Sequence, residues 1–316
     1  MICLTAARIP PGNLRKVPWP SLLRDTDRMT SVQPDGAAVR QALEHASERA
    51  AGLVREGGTL DGPVPGLEWT KAQLVGHLVA ICAAFATTLR GEDFAESFGA
   101  EFVGSYGSGD TLRDAVAAVN AKVVRYASFP SPVAAADALT IGTAALLAAF
   151  SAHHDLSVTR PAPWYGPDEA LPVGNLLSLA VSELLVHGYD LARAVGADLR
   201  PSAATTAAAT AVAAAVMSEM LPRVLDERRA SAFTGSFEVR VRGGQRFVLR
   251  IAGGKAWSEP AESQHVDCVL SLSAYDALLM GFNRVPSWRV IASGKALAFG
   301  RRPWLAMQFD HLFMKV

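Results

Sequence analysis

Cysteine is scarce in this sequence: three residues, Cys3, Cys82 and Cys268, stand far apart and form no CxxC pair. That spacing rules out a thiolate-only zinc site within one chain and fits a reducing cytoplasm. An excess of either charge is also missing, since 30 basic and 30 acidic residues cancel to a formal net charge of zero. Without a strongly basic surface, nucleic acid is a poor candidate partner. No apolar run has the length of a typical membrane span. The longest, "LVGHLVAICAAFATTL" from Leu74 to Leu89, carries a histidine and reads as a buried helix. The opening residues, "MICLTAARIPPGNLRKVPWPSLLRDTDR", lack the uninterrupted apolar core of a signal peptide. Their prolines and mixed charges predict a loosely ordered extension over residues 1–33, with Met29 as a second possible start. No GxSxG elbow surrounds Ser182, which argues against a serine hydrolase. The glycine-rich "GSYGSGD" at Gly104–Asp110 lacks the Lys-Ser/Thr of a Walker loop. No internal repeat is present.

What the sequence does have is apolar residues, half of its 316, enough for two compact domains with real cores. Val39, Leu43, Ala46, Ala50 and Leu53 recur at steps of three and four, predicting a helix from Asp35 to Glu56. Glycines and prolines break it. Thr70 is a plausible N-cap for a second helix, Lys71 to Arg90. A third follows Asp110 or Thr111, a short one covers Ala136 to Ser151, and a proline-rich loop leads to a fourth long helix, Asn175 to Val195. An alanine-rich helix, Pro201 to Leu221, comes next. After about residue 230 the apolar period drops to two. "SFEVRVR", a GG turn and "RFVLRIAG" read as a hairpin, and "DCVLSLS" as a third strand. Ser273 and Asp276 make a capping-box-like helix start, and a last helix is expected from Pro303 to Met314. The predicted organisation is a mainly α, multidomain chain: a helical domain over 34–200, a connecting helix over 201–228, and a small α+β domain over 229–316.

One stripe is chemically odd. On a helical wheel of Asn175–Val195, the residues Asn175, Ser178, Ser182, Leu185, Tyr189 and Arg193 gather on a face that reads as solvated. Glu183, His187 and Asp190 fall within the opposite, apolar arc. Burying an unpaired carboxylate is expensive, so something must compensate. Glu183 and His187 stand one turn apart and can reach one ion. A third ligand would come from another helix, and His77, mid-helix among apolar neighbours, is the natural candidate. Two histidines and one carboxylate with an open position suit zinc or iron(II). A buried hydrogen-bonded network without metal satisfies the same pattern, and so would a surface Glu–His pair. His153 and His154 are adjacent and read as a solvated loop or a pocket rim, while Cys82 and Cys268 read as inert buried thiols. Arg240, Arg242 and Arg250 read as the wet side of a sheet, with an anionic ligand as the alternative.

The segments "EWTKAQLVGHLVA" and "SELLVHGYDLARAVG" together resemble the mycothiol-dependent maleylpyruvate isomerase family, within the DinB-like four-helix metalloenzymes. The resemblance covers roughly residues 35–200 and implies that His77, Glu183 and His187 are the protein ligands of a divalent metal, usually Zn2+. "DCVLSLSAYDALLMGFN" and "SGKALAFGRRPWLAMQFDHLF" resemble the sterol-carrier-like domain that follows the bundle in such enzymes, where an arginine assists the substrate. Arg250, Arg301 and Arg302 are the candidates for that arginine. The "GKALAFGRRP" stretch departs from the commoner acidic ending of this segment.

A thiol brought to such a metal loses its proton at neutral pH and becomes a nucleophile. The resemblance implies mycothiol, a cysteine-bearing sugar thiol, as cosubstrate of a cytoplasmic enzyme that isomerises maleylpyruvate-like electrophiles. Asp190, one turn beyond His187, would orient the imidazole; a helix-end cap or salt bridge is its other reading. Three rival functions carry distinct expectations. A mycothiol S-transferase or thiol-exchange enzyme of detoxification or natural-product assembly would release the adduct. A non-catalytic small-molecule binder would need no metal. A metal-water hydrolase would need no thiol.

Overall fold

The computed structural model describes residues 32–103, 112–261 and 265–314. The extension over 1–31 and the proposed caps Asp110 and Thr111 lie outside the described residues. Helix α1 is Gly36–Glu56, capped by Asp35, whose carboxylate accepts from the Ala38 amide. Helix α2 is Lys71–Arg90 and opens on a complete capping box. There Thr70 Oγ1 accepts from the Gln73 amide at 3.3 Å while Gln73 Oε1 accepts from the Thr70 amide at 2.9 Å. Gly91, at φ 73°, stops it in the left-handed region that glycine tolerates best. The short α3, Phe94–Phe98, precedes α4, Leu112–Arg125. Helix α5 is Pro132–Phe150, a full turn longer at its start than the apolar pattern predicts. Ser131 caps it and Pro132 takes the first helical position, where a missing N–H costs nothing.

The proline-rich loop is not wholly irregular. It holds a two-stranded antiparallel ribbon of β1, Thr159–Pro161, and β2, Ala170–Pro172, too short to show any period in sequence. Helix α6, Val173–Val195, follows directly and ends at Gly196, again left-handed. Helices α1, α2, α5 and α6 pack as a four-helix bundle. The alanine-rich α7, Ala203–Arg223, lies along α1 and α6 and turns its other side to the second layer of the molecule.

That layer starts with α8, Glu227–Ala230, and is built on a five-stranded sheet. Its strands are β3 (Thr234–Val241), β4 (Arg246–Ala252), β5 (Lys255–Pro260), β6 (Cys268–Leu272) and β7 (Ala296–Phe299), in the order β5-β4-β3-β6-β7. The expected hairpin is β3–β4, with Phe237 opposite Leu249 and Val239 opposite Phe247 on the buried face. Strand β6 pairs parallel to β3, and the edge strands β5 and β7 gave no sequence signal. The other face is not simply wet. Glu238 is buried there, held by Arg240 at 2.7 Å and Arg246 at 3.3 Å. Helices α9, Ala274–Gly281, and α10, Ser287–Ala292, separate β6 from β7. Ser273 does begin α9, but its hydroxyl donates to the Asp276 carboxylate rather than capping the backbone.

The single helix expected from Pro303 to Met314 is broken into a 3-10 turn, the four-residue α11 (Ala306–Phe309) and a second 3-10 turn. Its end is pulled into extended pairing with the segment after α7. Asp226 N–H donates to Leu312 at 2.9 Å and Met314 N–H to Val224 at 2.8 Å, so these backbone groups leave the helical ladder.

Helix α2 sits close to the chain that leaves α4 because Gly76 has no side chain. A Cβ there would lie 2.3 Å from Ala127 Cβ and 3.2 Å from its Cα. Gly76→Val is therefore expected to destabilise the fold by about 1–3 kcal/mol through overpacking, read as a lower urea midpoint; an unchanged midpoint would show that the 127 segment yields freely.

Candidate metal centre

Helices α2 and α6 cross so that His77, Glu183 and His187 face one another. One ligand atom from each lies within 4.8 Å of the other two. The shared corner is Glu183 Oε2, which is 3.5 Å from His77 Nε2 and 3.2 Å from His187 Nε2. The imidazole rings meet edge to face at 5.1 Å, and the Trp69 indole lies 5.0 Å from one and 6.2 Å from the other. Both histidines are buried, whereas Glu183 keeps 22% side-chain exposure and marks the open side.

The remaining ring nitrogen of His187 decides how the site is wired. His187 Nδ1 donates to Asp190 Oδ2 at 2.9 Å. Asp190 is fully buried and accepts in turn from Arg284, through Nε at 3.0 and 3.1 Å and Nη2 at 2.9 Å. A neutral His187 fixed in this way carries its proton on Nδ1 and turns the Nε2 lone pair toward a carboxylate oxygen. Lone pair against lone pair at 3.2 Å is repulsive unless a cation sits between them. A second proton on the imidazole or a divalent metal ion each meets that demand.

The charge states follow. Burial pushes the His77 imidazole below its usual range, only partly countered by the hydrogen bond to Glu183. Burial would raise Glu183, but the bonds from His187 and His77 reverse this and hold the carboxyl well below the usual carboxylate range. Burial would lower His187, yet Asp190 and then Glu183 together raise it. Asp190, despite its burial, is held low by His187 and Arg284. The donor set is thus a low-pKa carboxylate with two imidazoles, the composition of open divalent-metal sites.

Asp190 makes the contacts of both its alternative readings, one to an imidazole and one to an arginine. Arg284 was not singled out in the sequence. Asn283, at φ 56°, ends α9 in the left-handed region and precedes Arg284. Arg284 then donates its amide to Leu279 and its Nη1 to Phe282. The arginine candidates Arg250, Arg301 and Arg302 do not enter the site: Arg250 pairs with Glu259, and the other two with Asp267. His153 bonds the Leu89 carbonyl and His154 is exposed. Cys82 is buried against Thr143, which leaves its thiol pushed up to about 11 by burial, and Cys268 is likewise buried. Neither is a ready nucleophile.

The face of α6 read as solvated is buried instead. Asn175, Ser178, Ser182 and Leu185 are all covered. The two serines return their hydroxyls to the helix's own carbonyls at Gly174 and Leu179. Asn175 donates to Glu219 of α7, which is joined through Arg223 to Glu169 in the loop before β2. Tyr165, from the same loop, and Glu183 both open onto a cavity of about 430 Å³ between the bundle and the second layer.

Residues 34–192 match the family model described as the mycothiol maleylpyruvate isomerase N-terminal domain. The chain belongs to that family. The matched range holds His77, Glu183, His187 and Asp190, while Arg284 lies beyond it. Two solved structures of the mycothiol-dependent maleylpyruvate isomerase, the second of a point mutant, are similar to this family member at 15% and 12% identity. They cover 80% and 84% of this chain and 91% and 92% of their own, each at a TM-score of 0.45. A stereoselective inverting sec-alkylsulfatase from Pseudomonas sp. aligns over 76% of this chain and 44% of its own, at 10% identity and a TM-score of 0.29. Likenesses of this size carry no argument about chemistry. No curated protein matches the chain.

Proposed function

We propose that this protein is a cytoplasmic, metal-dependent enzyme that uses mycothiol, a low-molecular-weight thiol, as nucleophile toward an electrophilic small molecule. The observation that carries the reading is His187 Nε2 facing Glu183 Oε2 at 3.2 Å while its Nδ1 is bonded to Asp190, with His77 completing the corner. His77 Nε2, His187 Nε2 and the Glu183 carboxylate would hold a divalent ion, zinc being the best fit to two imidazoles and one carboxylate. When bound, such an ion supplies the positive charge that lets a thiol ionise at neutral pH.

The chain's own residues do the rest. Asp190 holds His187 Nδ1, and Arg284 holds Asp190, so Nε2 is the ring nitrogen presented to the ligand corner. Trp69 covers the two rings and limits water on that side. Among the described residues both cysteines are buried, which favours a nucleophile supplied from outside. Family membership favours isomerisation, in which thiol addition permits rotation and the thiol then departs. S-transfer would use the same groups and retain the adduct.

Metal removal tests the reading. Treatment with a strong chelator is expected to abolish thiol-dependent turnover in a panel of α,β-unsaturated electrophiles, charged and neutral, and stoichiometric zinc to restore it. Turnover that persists without added thiol, or that chelation leaves untouched, would sink it.

A further inference from the structure

The cavity beside Glu183 indicates what kind of substrate the site takes, an inference that rests on the thiol-dependent reading above. Its walls are apolar from both layers: Met217 and Met220 from α7, Phe282 after α9, and Phe309 and Phe313 from the C-terminal turns. Its rim carries Ile291, Leu297, Trp304 and Met307, whose exposure runs from 52% to 80%. Large apolar side chains held open to water around a cavity mark a surface meant to be covered. Among the described residues that line it there is no lysine, arginine or histidine, while Glu183 and Asp310 are acidic.

Beyond an ion held by His77, Glu183 and His187, a dianionic substrate bound there would lose water and gain no cation from the described lining residues, at a cost that apolar contact does not repay. Among the described residues, two cations act on His77 and Tyr165 from nearby, and both are already matched. Arg284, felt by His77, is bound to Asp190; Arg223, felt by Tyr165, lies between Glu169 and Glu219. An uncharged alkyl or aromatic body meets no such penalty, and about 430 Å³ is within the range that encloses a drug-sized molecule.

We propose that the substrate is a neutral α,β-unsaturated carbonyl compound with an apolar chain or ring. The apolar body fills the cavity and the electrophilic carbon lies at the Glu183 end. The thiol sulfur forms a C–S bond to the β-carbon, the C=C electron pair moves toward the carbonyl, and the thiol proton ends on the α-carbon. Elimination after rotation reverses these moves, and no oxidant or reductant enters.

The test uses the full-length protein and N-phenyl-1-naphthylamine, a neutral fluorescent probe, displaced by 1-alkanols from butanol to decanol and by succinate and maleate. Affinity for the alkanols is expected to rise about 3- to 4-fold per methylene, with no displacement by the dicarboxylates. Met220→Arg, which sets a cation in the wall, is expected to weaken decanol at least about tenfold. Ala298→Trp blocks the mouth from an exposed strand position, guards against misfolding of the first variant, and is expected to do the same. In parallel, kcat/KM for 2-alkenals with mycothiol should climb with chain length. Displacement by dicarboxylates as strong as by decanol would overturn the assignment. So would thiol-dependent turnover that is indifferent to chain length, and that result would leave the proposed function standing. A chain-length trend in binding without thiol-dependent turnover of any electrophile would bring down the function and this substrate together.

Discussion

His187→Ala is expected to lower bound zinc from about one ion per chain to trace and thiol-dependent turnover on the order of a thousandfold, the equivalent of several kcal/mol of lost charge stabilisation. The reasoning is subtractive. His187 Nε2 lies 3.2 Å from Glu183 Oε2, and without it the corner keeps one imidazole and one carboxylate, too few to hold an ion in competition with water. The imidazole also stands between two carboxylates, Glu183 and Asp190, so its removal has a folding cost that must be separated from the metal effect. His77→Ala does this. It removes the candidate ligand from α2, takes an ion-pair partner from one carboxylate, Glu183, instead of from two among the described residues, and should give the same metal loss with a smaller shift in unfolding. Elemental analysis of all three proteins, with circular dichroism to confirm folding, reads the outcome. Equal metal content in wild type and both variants would remove the metal centre.

The second large effect is on stability. Asp190→Ala is expected to cost about 3–5 kcal/mol, because it leaves the Arg284 guanidinium, only 16% exposed, without its carboxylate. Asp190 is itself fully buried and receives bonds from both His187 and Arg284, so one truncation orphans two groups. Thermal and urea unfolding should show the loss directly. The pair can also be removed whole. Asp190→Leu with Arg284→Met replaces both charges by apolar side chains and should recover much of the stability, while metal affinity stays about 10- to 100-fold weaker because His187 has lost its acceptor. A cost below about 1 kcal/mol for Asp190→Ala would mean that the ion pair is effectively a surface one.

Much of this architecture was legible in local chemistry. The Thr70 cap and the helix ends at Glu56, Arg90 and Val195 are short-range hydrogen-bond and backbone requirements, and each sits where the pattern of residues puts it, whereas Asp35, expected as the first helical residue, caps its helix from outside. The convergence of His77 with Glu183 and His187 was legible for another reason: polar groups on an apolar arc demand a partner. The same rule failed on the other side of α6. Asn175, Ser178 and Ser182 count as solvated on a wheel, but serine hydroxyls can be satisfied by the helix's own backbone and buried at little cost, and Asn175 finds Glu219 on a helix the wheel does not contain. Strands of three or four residues, such as β1, β2 and β7, are too short to establish a period. Arg284 was invisible for want of any local signal, since its partner lies 94 positions away and only the tertiary fold brings them together.

That separation also bears on how the protein is made. During synthesis the ribosome completes every bundle helix well before residue 284 emerges, so a nascent chain can assemble its first layer with Asp190 still lacking its arginine. The imidazole of His187 is then aimed by one unanchored carboxylate. The corner of His77, Glu183 and His187 gains its full set of supporting contacts only after α9 has folded back, which ties its alignment to synthesis of the last third of the polypeptide.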